Sequence, residues 1–223
     1  MDQTKTALLF GATGLVGEKL LGFLDEDQRY DKVYVVNRRS KKYTSSKIVE
    51  SVIDFADLKE HQHLFEADHV FISLGTTIKK AGSQEAFEKV DYELQLQIAK
   101  LAKAKKVSQL VYVSALGANA SSSNFYMRTK ARLEDAIERE GPKGSYVVRP
   151  SMLFGNRKEK RLGESIGIFL MKNLEFLMIG AFKKYRGIYD ADVAEAMIFI
   201  ANSTPKQKAF DSDELKAIST SNF

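Results

Sequence analysis

Apolar positions along this chain keep two alternating rhythms. Short unbroken runs fall at 7–10, 32–36, 48–53, 69–74, 110–113 and Ser145–Arg149. Such runs suit strands covered on both faces, as in a parallel sheet, and the 48–53 run reads as less buried. Between them, apolar residues recur every three or four positions. After the first run these are Leu15, Val16, Leu20, Leu21 and Leu24; over 83–105 they are Phe87, Val90, Leu94, Ile98 and Leu101. That spacing predicts helices with one buried face. A further helix is expected over Phe125–Glu140, stopped by Gly141 and Pro142, and another over 192–201. Repeated strand–helix–strand units predict an α/β fold with a doubly wound parallel sheet. After Pro150 the rhythm breaks. A charged loop at 155–163 leads into a stretch at 166–179 rich in Ile, Leu, Phe and Met, and the tail from Ala209 carries no clear pattern. Residues 151–223 are expected to add a small cap over the strand ends. Phe169, Leu170, Phe176, Leu177 and Met178 would line a pocket or a subunit contact, or simply pack in the core.

Composition narrows the picture without redirecting it. A chain of 223 residues fits a single α/β domain with a small appended cap, and no repeat or interdomain linker breaks it. The absence of cysteine excludes disulfides, thiolate metal sites and cysteine nucleophiles, and no metal site is expected. The net charge of +5 is modest, and its basic runs at 38–42 and 157–161 form no stripe, so nucleic acid is not an expected partner. No apolar run is long enough to span a bilayer and no leader is visible, which leads to the expectation of a cytoplasmic protein.

Ligands of doubly wound sheets bind beyond the carboxyl ends of the strands, where Gly11, Arg38, Gly75, Ser114 and Pro150 all fall. The first of these ends is the most telling. Gly11, Gly14 and Gly17 punctuate the turn between the first strand and its helix, with Thr13, Leu15 and Val16 between them. A glycine turn of this kind aims backbone N–H groups at a phosphate, which the helix dipole also favours, so a dinucleotide is the expected cofactor. The second strand ends in Asn37-Arg38-Arg39 with no carboxylate. An acidic residue there would accept from a ribose hydroxyl and favour NAD; guanidinium groups favour the 2′-phosphate of NADP. Asp54 and Phe55, past the third strand, are candidates for a wall against the adenine.

Ser114 closes the fifth strand, and Tyr126 and Lys130 lie four apart on the following helix. That spacing puts both side chains on one face. A phenol normally titrates near ~10, and a neighbouring ammonium favours its ionised form. The expected roles are Tyr126 as general acid/base, Lys130 as its tuner and a ribose ligand, and Ser114 as a hydrogen-bond partner of a substrate carbonyl.

With the Gly11–Gly17 turn, these residues resemble the short-chain dehydrogenase/reductase superfamily, and 11–17 looks like its extended and atypical branches. Ser73 to Thr77, Lys80 to Gly82, Val90-Asp91, Ser122 to Tyr126 with Lys130, and Val148 to Pro150 resemble the group containing the Tat-interacting tumour-suppressor protein and bacterial NAD(P)-binding relatives. The likeness covers most of residues 5–202. It implies a Rossmann fold, bound NADP(H), and Ser-Tyr-Lys chemistry on a small-molecule substrate. It also implies cofactor contacts from Leu74, Gly75, Thr76 and Pro150. Two departures stand out. An Asn-Asn-Ala-Gly segment of the well-studied reductases is replaced by Ser73 to Thr76, and their helix asparagine, part of a proton relay, by Asp91. The leading expectation is an NADP(H)-dependent oxidoreductase of small carbonyls or alcohols. An NADPH-sensing binding protein, with a protein partner or as a homodimer, is the alternative, and an epimerase that retains its cofactor is a third.

Overall fold

The computed structural model describes residues 4–155 and 180–221. The charged loop and apolar stretch expected at 155–179 lie, apart from Gly155, outside the described residues. Seven strands form one sheet: β1 (Lys5–Phe10), β2 (Tyr30–Asn37), β3 (Ile48–Val52), β4 (His69–Ile72), β5 (Gln109–Val113), β6 (Ser145–Arg149) and β9 (Ala209–Asp211). Their order is β3-β2-β1-β4-β5-β6-β9 and every pairing is parallel. This is the doubly wound Rossmann arrangement, and its order reverses between β1 and β4. A small parallel pair, β7 (Leu153–Phe154) with β8 (Ile188–Tyr189), stands apart.

Burial on both faces explains the unbroken apolar runs. In β1, Ala7 and Leu9 face one core while Leu8 and Phe10 face the other. The first core holds α1 (Leu15–Glu26), α6 (Asp190–Ser203) and Leu215 of α7 (Ser212–Ser221). The second holds α4 (Gln95–Ala104) and α5 (Phe125–Glu140), with Phe65 and Leu58 beneath them. The short helices α2 (Ile78–Ala81) and α3 (Gln84–Glu88) connect β4 to this second layer.

Three differences from the sequence reading matter for the site. The helix expected over 83–105 is a chain of segments, with a π-helical turn at Lys89–Leu94 between α3 and α4. The patternless tail supplies β9, whose Phe210 pairs with Val148, and then α7. Of the section expected to cap the strand ends, the described part largely completes the sheet and its first helix layer, since α6 packs along α1.

Candidate active site

Because all seven strands run the same way, their carboxyl ends share one edge. Ser73 binds the ends of β1 and β4 together: its N–H donates to the Phe10 carbonyl at 2.9 Å and its Oγ to the Gly11 carbonyl at 3.2 Å. Gly11 has φ +92, and a Cβ there would lie 2.7 Å from the Ser73 carbonyl carbon. A Cβ on Gly17 would lie 2.0 Å from the Gly11 oxygen. The turn is therefore closed too tightly for side chains at either position. Gly14 caps α1 without a side-chain acceptor. The first N–H groups of α1, on Leu15, Val16 and Gly17, belong to the helical turn that has no carbonyl behind it. With Thr13 exposed at the rim, the turn forms a cradle that presents these N–H groups at the sheet edge.

At the next strand end, Asn37 is buried, while Arg38 and Arg39 are exposed and have no ion-pair partner among the described residues. A carboxylate does approach here, from β3. Glu50 accepts from Asn37 Nδ2 at 2.7 Å, Ser40 Oγ at 2.9 Å and the Lys41 N–H at 2.9 Å. Its partial burial raises its pKa, but these donors outweigh that and hold the carboxyl below its usual range. Asp54 is turned to its own backbone, accepting from the Ala56 N–H at 3.0 Å, and Phe55 packs against Phe10 with ring centroids 6.3 Å apart.

Beyond β4, Leu74, Gly75 and Thr76 meet the π-helical turn. The Thr76 N–H donates to Asp91 Oδ2 at 2.8 Å, and Gln95 Nε2 donates to the Leu74 carbonyl at 3.4 Å. Asp91 Oδ1 lies 2.8 Å from Lys130 Nζ, close enough for an ion pair but off the axis of a hydrogen bond. Both side chains are almost fully buried, at 1% and 3% exposure. Lys130 Nζ sits 5.9 Å from the centre of the Tyr126 ring, which also packs on Phe87. Asn124 starts this helix by accepting from the Tyr126 N–H at 2.9 Å. Tyr126 and Lys130 thus come together beside the 74–76 loop.

Ser114 is engaged elsewhere. Its buried hydroxyl donates to Glu134 Oε1, while Arg149 binds the same carboxylate through Nε at 3.1 Å and a terminal nitrogen at 2.5 Å. The Glu134 hydrogen bond raises the Arg149 pKa. With its proton given to a carboxylate, Ser114 has only acceptor capacity left. Pro150, at the end of β6, accepts from the Leu116 N–H at 3.0 Å. Sequence reasoning missed Glu134 and Arg149. The available signal was spacing, because Glu134 stands four residues past Lys130 and continues the Tyr126–Lys130 face.

Among the described residues no helix is long and apolar enough to cross a membrane, and no acidic or histidine cluster could hold a metal. Residues 7–211 match the model of the NAD dependent epimerase/dehydratase family. The chain is 37% identical to "Protein FMP52, mitochondrial" of Meyerozyma guilliermondii over 87% of its length and 84% of the relative's. It is 33% identical to "Protein FMP52-1, mitochondrial" of Scheffersomyces stipitis over 94% and 96%. The expectation of a cytoplasmic protein is corrected by these relatives, whose names carry the other compartment. Among solved structures, the ADP-L-glycero-D-manno-heptose-6-epimerase of Helicobacter pylori superposes with a TM-score of 0.69 at 17% identity, covering 100% of this chain and 84% of that one. The Bordetella bronchiseptica enzyme WbmH in complex with NAD+ gives 0.69 at 16%, covering 98% and 80%. At such identities the likeness is one of fold.

Proposed function

The chain belongs to the NAD dependent epimerase/dehydratase family, and on that premise we propose that it is an NADP(H)-dependent oxidoreductase acting on a small carbonyl or alcohol. The observation that carries this reading is the Tyr126–Lys130 pair, backed by Asp91 and standing at the same sheet edge as the Gly11–Gly17 cradle. The N–H groups of Leu15, Val16 and Gly17 would bind the pyrophosphate, with Leu74, Gly75, Thr76 and Pro150 beside the nicotinamide half. When bound, the nicotinamide gives or takes the hydride. Tyr126 gives the matching proton to the substrate oxygen, or takes it in the reverse direction, and Lys130 stabilises the phenolate so formed. The preference for NADP rests on Arg38 and Arg39, exposed and unpaired, while the nearby carboxylate of Glu50 is occupied by Asn37, Ser40 and Lys41.

Residues 151–223 are read as part of the same domain and as contributing a small substrate-side cap. Gly155 supports this, because a Cβ there would lie 2.7 Å from Leu15 of the cradle. The relatives' names support a mitochondrial location. The test is turnover of a carbonyl panel with NADPH and NADH. We expect turnover that Tyr126→Phe abolishes and a preference for NADPH that Arg38→Ala and Arg39→Ala erode. Full activity in Tyr126→Phe overturns the mechanism. A second reading, an NADPH-sensing binding protein like some members of the group that contains the Tat-interacting protein, is favoured by the commitment of Ser114 to Glu134. It predicts protein partners whose affinity changes with NADPH.

A further inference from the structure

Resting on the NADP(H) reading above, we propose that Glu50 is the positioning residue behind the preference for a 2′-phosphate: a carboxylate on β3 that clamps the turn after β2 and holds Arg38 and Arg39 ready for that phosphate without touching it. Glu50 is the middle residue of β3, opposite Val35 of β2. Its carboxylate takes donors from both sides of the two arginines. Oε1 accepts from Asn37 Nδ2 at 2.7 Å and from the Lys41 N–H at 2.9 Å, and Oε2 accepts from Ser40 Oγ at 2.9 Å. The residues between these anchors are Arg38 and Arg39. Asn37 is itself fixed, since it is buried and the same nitrogen donates to the Tyr43 hydroxyl at 3.0 Å. Lys41 Nζ lies 3.4 Å from Glu18 in the first turn of α1. The clamped turn thus stands beside the helix that follows the Gly11–Gly17 turn.

This use of the carboxylate has two consequences. All three donors are neutral groups, so Glu50 closes the turn without consuming a guanidinium. Arg38 and Arg39 stay exposed, with no ion-pair partner among the described residues, and are open to a phosphate. The second consequence concerns the competing cofactor. A carboxylate at this strand end selects NAD by accepting from a ribose hydroxyl, and Glu50 has already spent its oxygens on the turn. Asp54, a second carboxylate past β3, is turned to the Ala56 N–H at 3.0 Å. Ordering a loop and its long side chains on binding costs free energy, and a turn closed beforehand spares part of that cost. NADH carries a hydroxyl where NADPH carries the phosphate, so it gains little from the arginines and loses little with the clamp. Loss of Glu50 is therefore expected to fall on NADPH. A merely structural role would weaken both cofactors alike.

The experiment titrates NADPH and NADH, followed by their fluorescence, into wild type, Glu50→Gln and Glu50→Asp. Glutamine keeps one acceptor oxygen and turns an amide group toward a set of donors. Aspartate keeps the charge but is one methylene short of spanning the anchors, which separates reach from charge. We expect each variant to lose about fivefold or more of the NADPH-over-NADH affinity ratio, as for the added ordering of one or two long side chains. NADH affinity should stay within about twofold of wild type on the same scale. Amide hydrogen exchange without cofactor reads the clamp itself, and the Lys41 N–H should exchange faster in both variants. Ser40→Ala, which deletes one donor, should shift the ratio the same way by a smaller factor and carries the comparison should neither carboxylate variant fold. Equal losses of NADPH and NADH, an unchanged ratio, unchanged exchange at Lys41, or a ratio that rises because a repelling charge has gone each overturn the clamp and leave the wild-type preference for NADPH standing. A wild type that binds NADH as tightly as NADPH, or more tightly, overturns the preference and the clamp together.

Discussion

Two glycines of α1 separate steric closure of the Gly11–Gly17 turn from helix propensity. Alanine is a better helix former than glycine by about 1 kcal/mol in a helix interior. On propensity alone, both Gly17→Ala and Gly22→Ala should stabilise the protein. The surroundings differ sharply. A Cβ at Gly22 meets nothing within 4 Å, whereas at Gly17 it lies 2.0 Å from the Gly11 carbonyl oxygen and 2.7 Å from its carbon. Ordinary contact begins at 3.4 Å, so α1 and the turn must part by more than an ångström. The obstacle is backbone, which cannot rotate away. Overpacking of this kind costs about 1–3 kcal/mol, and a rigid neighbour puts it toward the upper end. Set against the helix gain, Gly17→Ala should lose about 2 kcal/mol, a fall in Tm of about 4–8 °C for a chain of this size. Gly22→Ala should gain about 1 kcal/mol and rise by about 2–4 °C. The same displacement moves the N–H groups of Leu15 to Gly17 out of line. On the dinucleotide reading proposed above, loss of one charged hydrogen bond to the pyrophosphate weakens NADPH about tenfold or more. Thermal unfolding by circular dichroism and titration of NADPH fluorescence read both effects. The reasoning fails if Gly17→Ala melts at or above the wild-type temperature and binds NADPH equally well.

Two further outcomes follow from buried groups. His69 accepts or donates at 2.7 Å to Tyr30, which Asn202 also engages, and burial above all, with Lys5 nearby, lowers its pKa from 6.5 to about 4. The unfolded chain therefore binds this proton at higher pH than the folded one, so the contribution is whole above pH 6.5 and is lost as pH falls to about 4. The loss approaches about 3 kcal/mol. Urea midpoints from pH 7 to 4 should fall more steeply in wild type than in His69→Asn, and parallel curves would exclude His69 as the cause. At the Ser114–Glu134–Arg149 cluster, Arg149→Met strands a buried carboxylate, whereas Glu134→Gln leaves a guanidinium that is one-third exposed. Arg149→Met should cost about 3 kcal/mol and Glu134→Gln roughly half of that, because water screens the guanidinium; the reverse order in denaturant unfolding would refute this account.

The sheet was largely legible because both of its faces are covered. Runs such as Ser145–Arg149 need no polar alternation, and Phe125–Glu140 is bounded by an asparagine cap and the Gly141–Pro142 stop. The π-helical turn was not legible. Phe87, Leu94 and Ile98 keep a helical spacing through it, and the widening shows only in backbone bonding. Strand β9 is three residues long and is defined by its register on β6, a long-range fact. The proximity of Tyr126 and Lys130 followed from helix geometry. The partner of Ser114 did not, because Glu134 reaches it from another element and Arg149 holds that carboxylate from a third. The expectation of a cytoplasmic protein had no firm ground, because cysteine content and hydropathy carry no address, and it stands against relatives that are named mitochondrial.

The packing of α1 along α6 has a consequence for synthesis. Every residue proposed to touch the dinucleotide lies in the first 150 positions, yet the helix that would carry its phosphate buries one flank on Asp190–Ser203. Lys5 is likewise tied to Asn202 at 2.7 Å across 197 residues. A ribosome-bound chain that has already displayed the whole ligand-contacting sequence still lacks the wall that holds the cradle upright. Ligand capture should thus wait until Asp190–Ser203 has left the ribosome. A cut before Asp190 should silence the site while removing none of its proposed ligand contacts.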